Sequence, residues 1–321
     1  MLIFGPVPSR RLGRSMGINI IPRKICSYAC IYCQAGATTR HQARRSRFYD
    51  PILLFKELNK KLTTVKNAGK TIDYLTFVAD GEPTLDIRLG EMIDLFKPLG
   101  VSMAVISNAS TVWQKQVRDD LLKADWVSLK IDAVWEPIWK KVNRPHRSLQ
   151  LDRILDGVLT FADEYQGSLA TESMLVKDIN DHPDHMDSLA EFLSQLRPNV
   201  SYLSIPIRPP ASSQATPPSQ ESIIRGFQRL QNKLTEVELL IGYEGNNFDF
   251  TGDVINDLLS ITSVHPMRKD AVQNFLFEAK ANWSVVKQLI DQDQLGKTIY
   301  QGDEFYMRKP NIDVIPPCKK S

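Results

Sequence analysis

Three cysteines fall within eight residues, Cys26, Cys30 and Cys33, in the spacing C-x-x-x-C-x-x-C, while the fourth, Cys318, stands alone near the end of the sequence. This is not a disulfide framework. A chain of 321 residues with 42% apolar content can build its own core, so grouped thiols read as metal ligands or redox groups. Counting ligands narrows the metal. Structural zinc takes four ligands, and the nearby candidate for the fourth is His41, a poor fit to the usual paired arrangement. Three thiolates suit a cubane iron–sulfur cluster with one iron left open for chemistry. Tyr32, directly before Cys33, is the aromatic neighbour of that site.

Further candidates follow short apolar runs. The segments 74–78, 101–106, 126–131, 169–176 and 200–205 are β-branched or aromatic and end in turn residues, as buried parallel strands do. Helical stretches lie between them: Asp50 and Pro51 open one that Gly69 closes, and 152–165 repeats an apolar face at i, i+3, i+4. This rhythm predicts an α/β fold with a parallel sheet or barrel, whose ligands gather at the carboxyl ends of the strands. At those ends stand Gly81, which lets backbone approach closely, and Glu82, a carboxylate able to hold an ammonium group. Ser107 and Asn108 offer a hydroxyl and an amide, or form a plain turn. Lys130 and Asp132 alternate about Ile131 and so share a face, either as site residues or as a structural ion pair. Glu172 and Met174 share a face of the next strand and are expected to line the site near the cofactor. Arg208, before two prolines, is a fixed guanidinium beside the ligand or part of a rigid exit turn.

The segment from Phe4 to Ile18, the cysteine motif, Asp80-Gly81-Glu82-Pro83-Thr84, Asn143-Arg144-Pro145-His146 and the stretch from Thr171 to Asp181 together resemble the radical S-adenosylmethionine superfamily, in a family related to wyosine tRNA-base synthases. The likeness runs from residue 4 to about 245. It implies a partial (β/α)6 TIM-like barrel, a [4Fe-4S] cluster on Cys26, Cys30 and Cys33, and S-adenosylmethionine on the open iron. Glu82 would hold the methionine amine, Ser107 and Asn108 the ribose. Reductive cleavage would yield a 5′-deoxyadenosyl radical that abstracts hydrogen from a substrate, a small molecule or a tRNA base. A reductant such as flavodoxin or ferredoxin is implied. No cysteine precedes Cys26, so the second cluster of wyosine synthases proper has no ligands here, and the resemblance is to a single-cluster relative.

From Asp253 the pattern changes to helices at 254–262, 267–279 and 282–292, the last capped by Asn282 with Trp283, Val286 and Ile290 as its apolar face. A hairpin about Gln301-Gly302-Asp303 follows. The expected division is a barrel at 1–250, a winged-helix-like module at 251–309 and a tail at 310–321. Its candidate recognition helix has Lys287 against Asp291 and Asp293, weak for binding phosphates. The charge of +3 is unevenly spread: residues 1–49 hold nine Lys and Arg and no acid, leaving 31 bases against 37 acids beyond. Such a field suits an anionic cluster, ligand or nucleic acid. No run approaches a membrane span and the first residues are too short for a signal peptide, so a cytoplasmic enzyme is expected. Two alternatives remain: cleavage to an aminocarboxypropyl radical, and, in another class, a zinc-binding winged-helix regulator using His41.

Overall fold

The computed structural model describes residues 2–309 apart from Ala79, 243–247, Asp249 and Thr251; the tail expected at 310–321, with Cys318, lies outside the described residues. The chain begins with a hairpin of β1 (Ile3–Ser9) and β2 (Gly13–Ile18), then a long loop carrying the two-residue strands β3 (Ile25–Cys26) and β4 (Arg40–His41). Helix α1 (Pro51–Asn67), β5 (Tyr74–Phe77), α2 (Leu89–Phe96), β6 (Ser102–Ser107), α3 (Lys115–Leu121) and β7 (Trp126–Lys130) follow. Next come α4 (Glu136–Val142), α5 (Leu151–Glu164), β8 (Ser168–Met174), α6 (Pro183–Leu196), β9 (Val200–Ser204), α7 (Gln220–Gln231) and β10 (Val237–Leu240). One curled sheet runs in the order β1-β2-β5-β6-β7-β8-β9-β10, antiparallel between β1 and β2 and parallel thereafter. It is a partial TIM-like barrel.

Two strands go beyond the six expected. The Phe4–Ile18 motif contains the β1–β2 hairpin, with β2 as the first parallel strand, and β10 extends the far edge. Glycines, prolines and arginines mask the strand alternation in that hairpin.

Alternation decides what each strand face does. Leu75 and Phe77 of β5 are fully buried against the helices, where Phe77 stacks on Phe96 of α2. Thr76 between them bonds Ser15 of β2 at 2.7 Å. Leu12, Ala104, Trp126, Ala170, Tyr202 and Leu240 make a separate cluster, and the small alanines leave room inside the curl. Helix α1 shows why the outer layer is helical. Asp50 caps it by accepting from Ile52 N at 2.8 Å, Pro51 starts it, and Leu54, Leu58, Leu62 and Val65 form one buried stripe.

The C-terminal elements are α8 (Val254–Val264), β11 (Met267–Arg268), α9 (Lys269–Glu278), α10 (Ser284–Asp291), β12 (Leu295–Tyr300) and β13 (Asp303–Arg308). The strands pair as β11-β13-β12. The helix expected at 267–279 therefore starts late, because Met267 and Arg268 pair with β13. In α10 the buried pair is Val286 and Leu289, while Ile290 is 37% exposed, which corrects the expected apolar face. Asn282 accepts from Ser284 N at 2.9 Å. Arg23 of the cysteine loop donates to the carbonyls of Arg308 and Lys309 at 2.8 Å each, tying β13 to the barrel. Among the described residues no helix is long and apolar enough to cross a membrane.

Candidate functional site

Every candidate chosen from the sequence except Asp132 and His41 lines one cavity of about 260 Å³ inside the curl of the sheet. Cys26, Cys30 and Cys33 all face it, from the loop after β2. Two side-chain amides aim at the thiols: Asn108 Nδ2 lies 3.5 Å from Cys26 Sγ and Asn143 Nδ2 lies 3.4 Å from Cys30 Sγ. Burial pushes the Cys26 thiol up, reinforced by Cys30 and Glu82, and pushes Cys30 up to about 12. Cys26 and Cys30 thus keep their protons until a metal displaces them. A donor set of three thiols with N–H groups directed at sulfur fits an iron–sulfur cluster, since such hydrogen bonds tune its charge. His41 is engaged elsewhere: its Nε2 sits 2.9 Å from the Ser27 carbonyl, and its ring lies edge-on to His146. That position does not favour the zinc alternative.

Gly81 explains how the cysteine loop is seated. A Cβ at this position would stand 1.8 Å from the Ile25 carbonyl oxygen, so the backbone that glycine admits is the loop bearing the cysteines. Glu82, beside it, is 1% exposed. Its Oε1 accepts from Thr84 N at 3.0 Å, Thr84 Oγ1 at 2.6 Å and Ser107 Oγ at 2.7 Å, and Oε2 accepts from Asn108 N at 2.7 Å. Burial raises its pKa even though these donors pull the other way. Ser107 and Asn108, expected at a ribose, are engaged by protein: Ser107 holds Glu82, and Asn108 Nδ2 bonds Ser27 Oγ at 3.0 Å as well as reaching Cys26.

Across the cavity lies a charged chain. Lys130 Nζ sits 3.2 Å from Glu172 Oε1, 3.4 Å from Asp132 Oδ1 and 4.8 Å from the centre of the Tyr32 ring. Arg11, reaching in from the β1–β2 turn, pairs with Glu172. Burial alone would raise the Glu172 carboxyl, but Lys130 and Arg11 outweigh it and hold it at about 2. Asp132 stands behind the cavity wall as a hub, accepting from the Tyr32 hydroxyl, from Asn143 Nδ2 at 2.6 Å and from Met174 N at 2.8 Å. Lys130 and Asp132 are thus an ion pair through Asp132 Oδ1, while Asp132 Oδ2 holds Tyr32 and Asn143. Met174 lies in the wall with Ser204 Oγ 3.7 Å from its sulfur. Arg208 donates to Gln34 Oε1 at 2.7 Å and lies 3.0 Å from His265 Nε2, joining the cysteine loop to α8.

Arg10, Arg11, Gln34 and Ser204 also line the cavity and were not chosen as site residues from the sequence. Arg10 and Arg11 carried a signal, their place in the acid-free first segment; Gln34 and Ser204 carried none. Asn143 belonged to a recognised motif, but nothing local pointed it at Cys30.

Comparison with known proteins identifies the family and the fold. The Radical SAM superfamily profile matches residues 20–193, and the chain belongs to that superfamily. Among its relatives is a UPF0026 protein of Methanocaldococcus jannaschii, 43% identical over 310 residues covering 96% of each chain. A radical SAM methyltransferase structure from Sphaerobacter thermophilus is similar with a TM-score of 0.54 and 16% identity, over 71% of this chain and 66% of that one. TYW1 with a lysine-pyruvate adduct bound is similar with a TM-score of 0.51 and 16% identity, over 70% and 76% of the two chains. These two likenesses concern the fold. The protein is a radical SAM iron–sulfur enzyme.

Proposed function

We propose that Cys26, Cys30 and Cys33 hold a single [4Fe-4S] cluster, and that S-adenosylmethionine occupies the cavity beside it. The reading is carried by three thiols and a strand-end carboxylate facing one cavity, with side-chain amides directed at two of the sulfurs. When bound and reduced, the cofactor pair supplies a 5′-deoxyadenosyl radical that takes a hydrogen atom from the substrate. The protein's part is positioning and exclusion of water. Glu82 Oε2, with one hydrogen bond from Asn108, keeps acceptor capacity for the methionine ammonium group. Ser107 and Asn108 are assigned to holding Glu82 and the cysteine loop. Tyr32, Lys130, Glu172, Met174 and Arg208 form the opposing wall against which the substrate lies. The substrate is a small molecule or an extruded tRNA base. The elements from α8 to β13 have their own apolar cluster, centred on Leu258, Phe275 and Leu289, which supports a winged-helix-like module at 251–309.

Anaerobic reconstitution with iron and sulfide, then reduction with S-adenosylmethionine present, tests this reading. The expected product is 5′-deoxyadenosine, absent in Cys30→Ala. Methylthioadenosine would instead reveal aminocarboxypropyl chemistry, and zinc retention without iron would overturn the reading. Binding of a tRNA should fall steeply with salt, that of a small polar substrate much less.

A further inference from the structure

A groove of about 1040 Å³ lies outside the barrel, between segment 40–47 and the loops at Trp113 and His146. A second hollow of about 550 Å³ adjoins it through His41, His146 and Leu149. Arg40, Arg44 and Arg47 stand exposed on one wall, and Arg144 and Arg147 on the other. The one carboxylate lining either hollow, among the described residues, is Glu136, which Lys140 already neutralises at 2.9 Å. The wall is rigid. Arg45 clamps it by donating to the Thr84 and Asp86 carbonyls at 2.8 Å each and pairing with Asp120, while Ser46 N bonds the Leu85 carbonyl at 2.8 Å.

The floor of this groove is the back of the cysteine loop. Gln42 N bonds the Cys26 carbonyl at 2.9 Å, and both His41 Nε2 (2.9 Å) and His146 N (2.8 Å) meet the Ser27 carbonyl. The thiols face the other way, into the cavity, and no residue lines both spaces. An anion held in the groove is therefore separated from the radical chemistry by the loop itself. What can cross that thickness of backbone is an electron.

On this geometry, and resting on the radical reading above, we propose that the groove docks an acidic one-electron carrier protein. The carrier is oxidised by one electron, the cluster held by Cys26, Cys30 and Cys33 is reduced by one, and no atom is transferred. Opposite charges steer such encounters and make them fast and salt-sensitive, and electron-transfer interfaces are small and short-lived. A nucleic acid is disfavoured as occupant because its reacting base would have to enter a cavity that shares no wall with the groove.

The test uses the reconstituted full-length enzyme and a reduced acidic flavodoxin as probe, with cluster reduction followed by anaerobic stopped flow. The rate should fall about tenfold or more in Arg44→Glu/Arg47→Glu at low ionic strength, and the wild-type rate should fall with added salt. Reduction by dithionite, which needs no docking, should be unchanged in the variant. Reduction of the variant by flavodoxin at the wild-type rate would overturn the proposal. So would salt-sensitive tRNA binding that the double variant abolishes while flavodoxin reduction continues. A wild-type chain that takes up no cluster would fail earlier, at the dithionite arm, and overturn the radical reading with it.

Discussion

At the scale of single residues, the site is built from buried charges whose partners decide what they cost. Glu82 is a carboxylate kept in apolar surroundings by four donated hydrogen bonds. Replacing it with alanine strands the Thr84 and Asn108 amides, and Glu82→Ala is expected to lose at least about 2 kcal/mol in denaturant unfolding. Because its folded pKa is raised, its contribution is full below the ordinary carboxylate range and is lost as pH rises through the folded value. Glu172 has the opposite sign. Its carboxyl is held at about 2 against an ordinary 4.5, so its contribution is present above 4.5 and is lost as pH falls toward 2. Lys130→Met leaves Glu172 with the Arg11 cation and the Ser204 hydroxyl, and Asp132 without its cation; the expected loss is about 3 kcal/mol, with an unfolding midpoint less sensitive to acid below pH 4.5. Unfolding curves for wild type and variant across that pH range check both statements.

At the scale of elements, the site depends on how one loop seats against one strand end. Gly81→Ala drives a methyl group into the Ile25 carbonyl, and backbone cannot move aside cheaply. The expected outcome is reduced iron content after reconstitution with an unchanged far-ultraviolet circular dichroism spectrum, since the sheet does not pass through this contact. Asp50→Ala removes the cap of α1 far from the cavity and is expected to cost about 1 kcal/mol while leaving iron content intact. The five strands at 74–205 and the α1 boundaries were legible in the sequence because parallel strands buried on both faces read as short apolar runs and because caps are local. The β1–β2 hairpin was not legible as strands. Its arginines and glycines serve the turn and the cavity, so composition there reports function more than pleat. Glu82, the cysteines, Ser107 and Asn108 could be placed at one strand-end cavity from the sequence, but not the bonds that tie Ser107 and Asn108 to Glu82 and the cysteine loop; a strand-exit turn looks the same in sequence whichever partner it meets.

At the scale of the whole molecule, the barrel and the C-terminal elements meet through polar ties: Arg208 to His265, Arg23 to the end of β13, and Tyr300 to the Pro206 carbonyl at 3.0 Å. Arg208→Leu breaks the first and leaves Gln34 short of a donor, and a fall in Tm of roughly 2–4 °C is expected by calorimetry. The charge asymmetry of the first 49 residues also resolves at this scale. Arg11 turns inward to Glu172, Arg45 braces a loop, and Arg40, Arg44 and Arg47 face outward on the groove. The sequence by itself determined the chemistry, because ligand type, cysteine spacing and strand rhythm are local properties that survive without a fold. Only the tertiary structure decided which groups serve it. Arg11 meets Glu172 across 161 positions, Arg208 meets Gln34 across 174, and Asn143 reaches Cys30 across 113. Those meetings follow from the curl of a sheet, which is set by packing along its whole length and leaves no trace in any short stretch of residues.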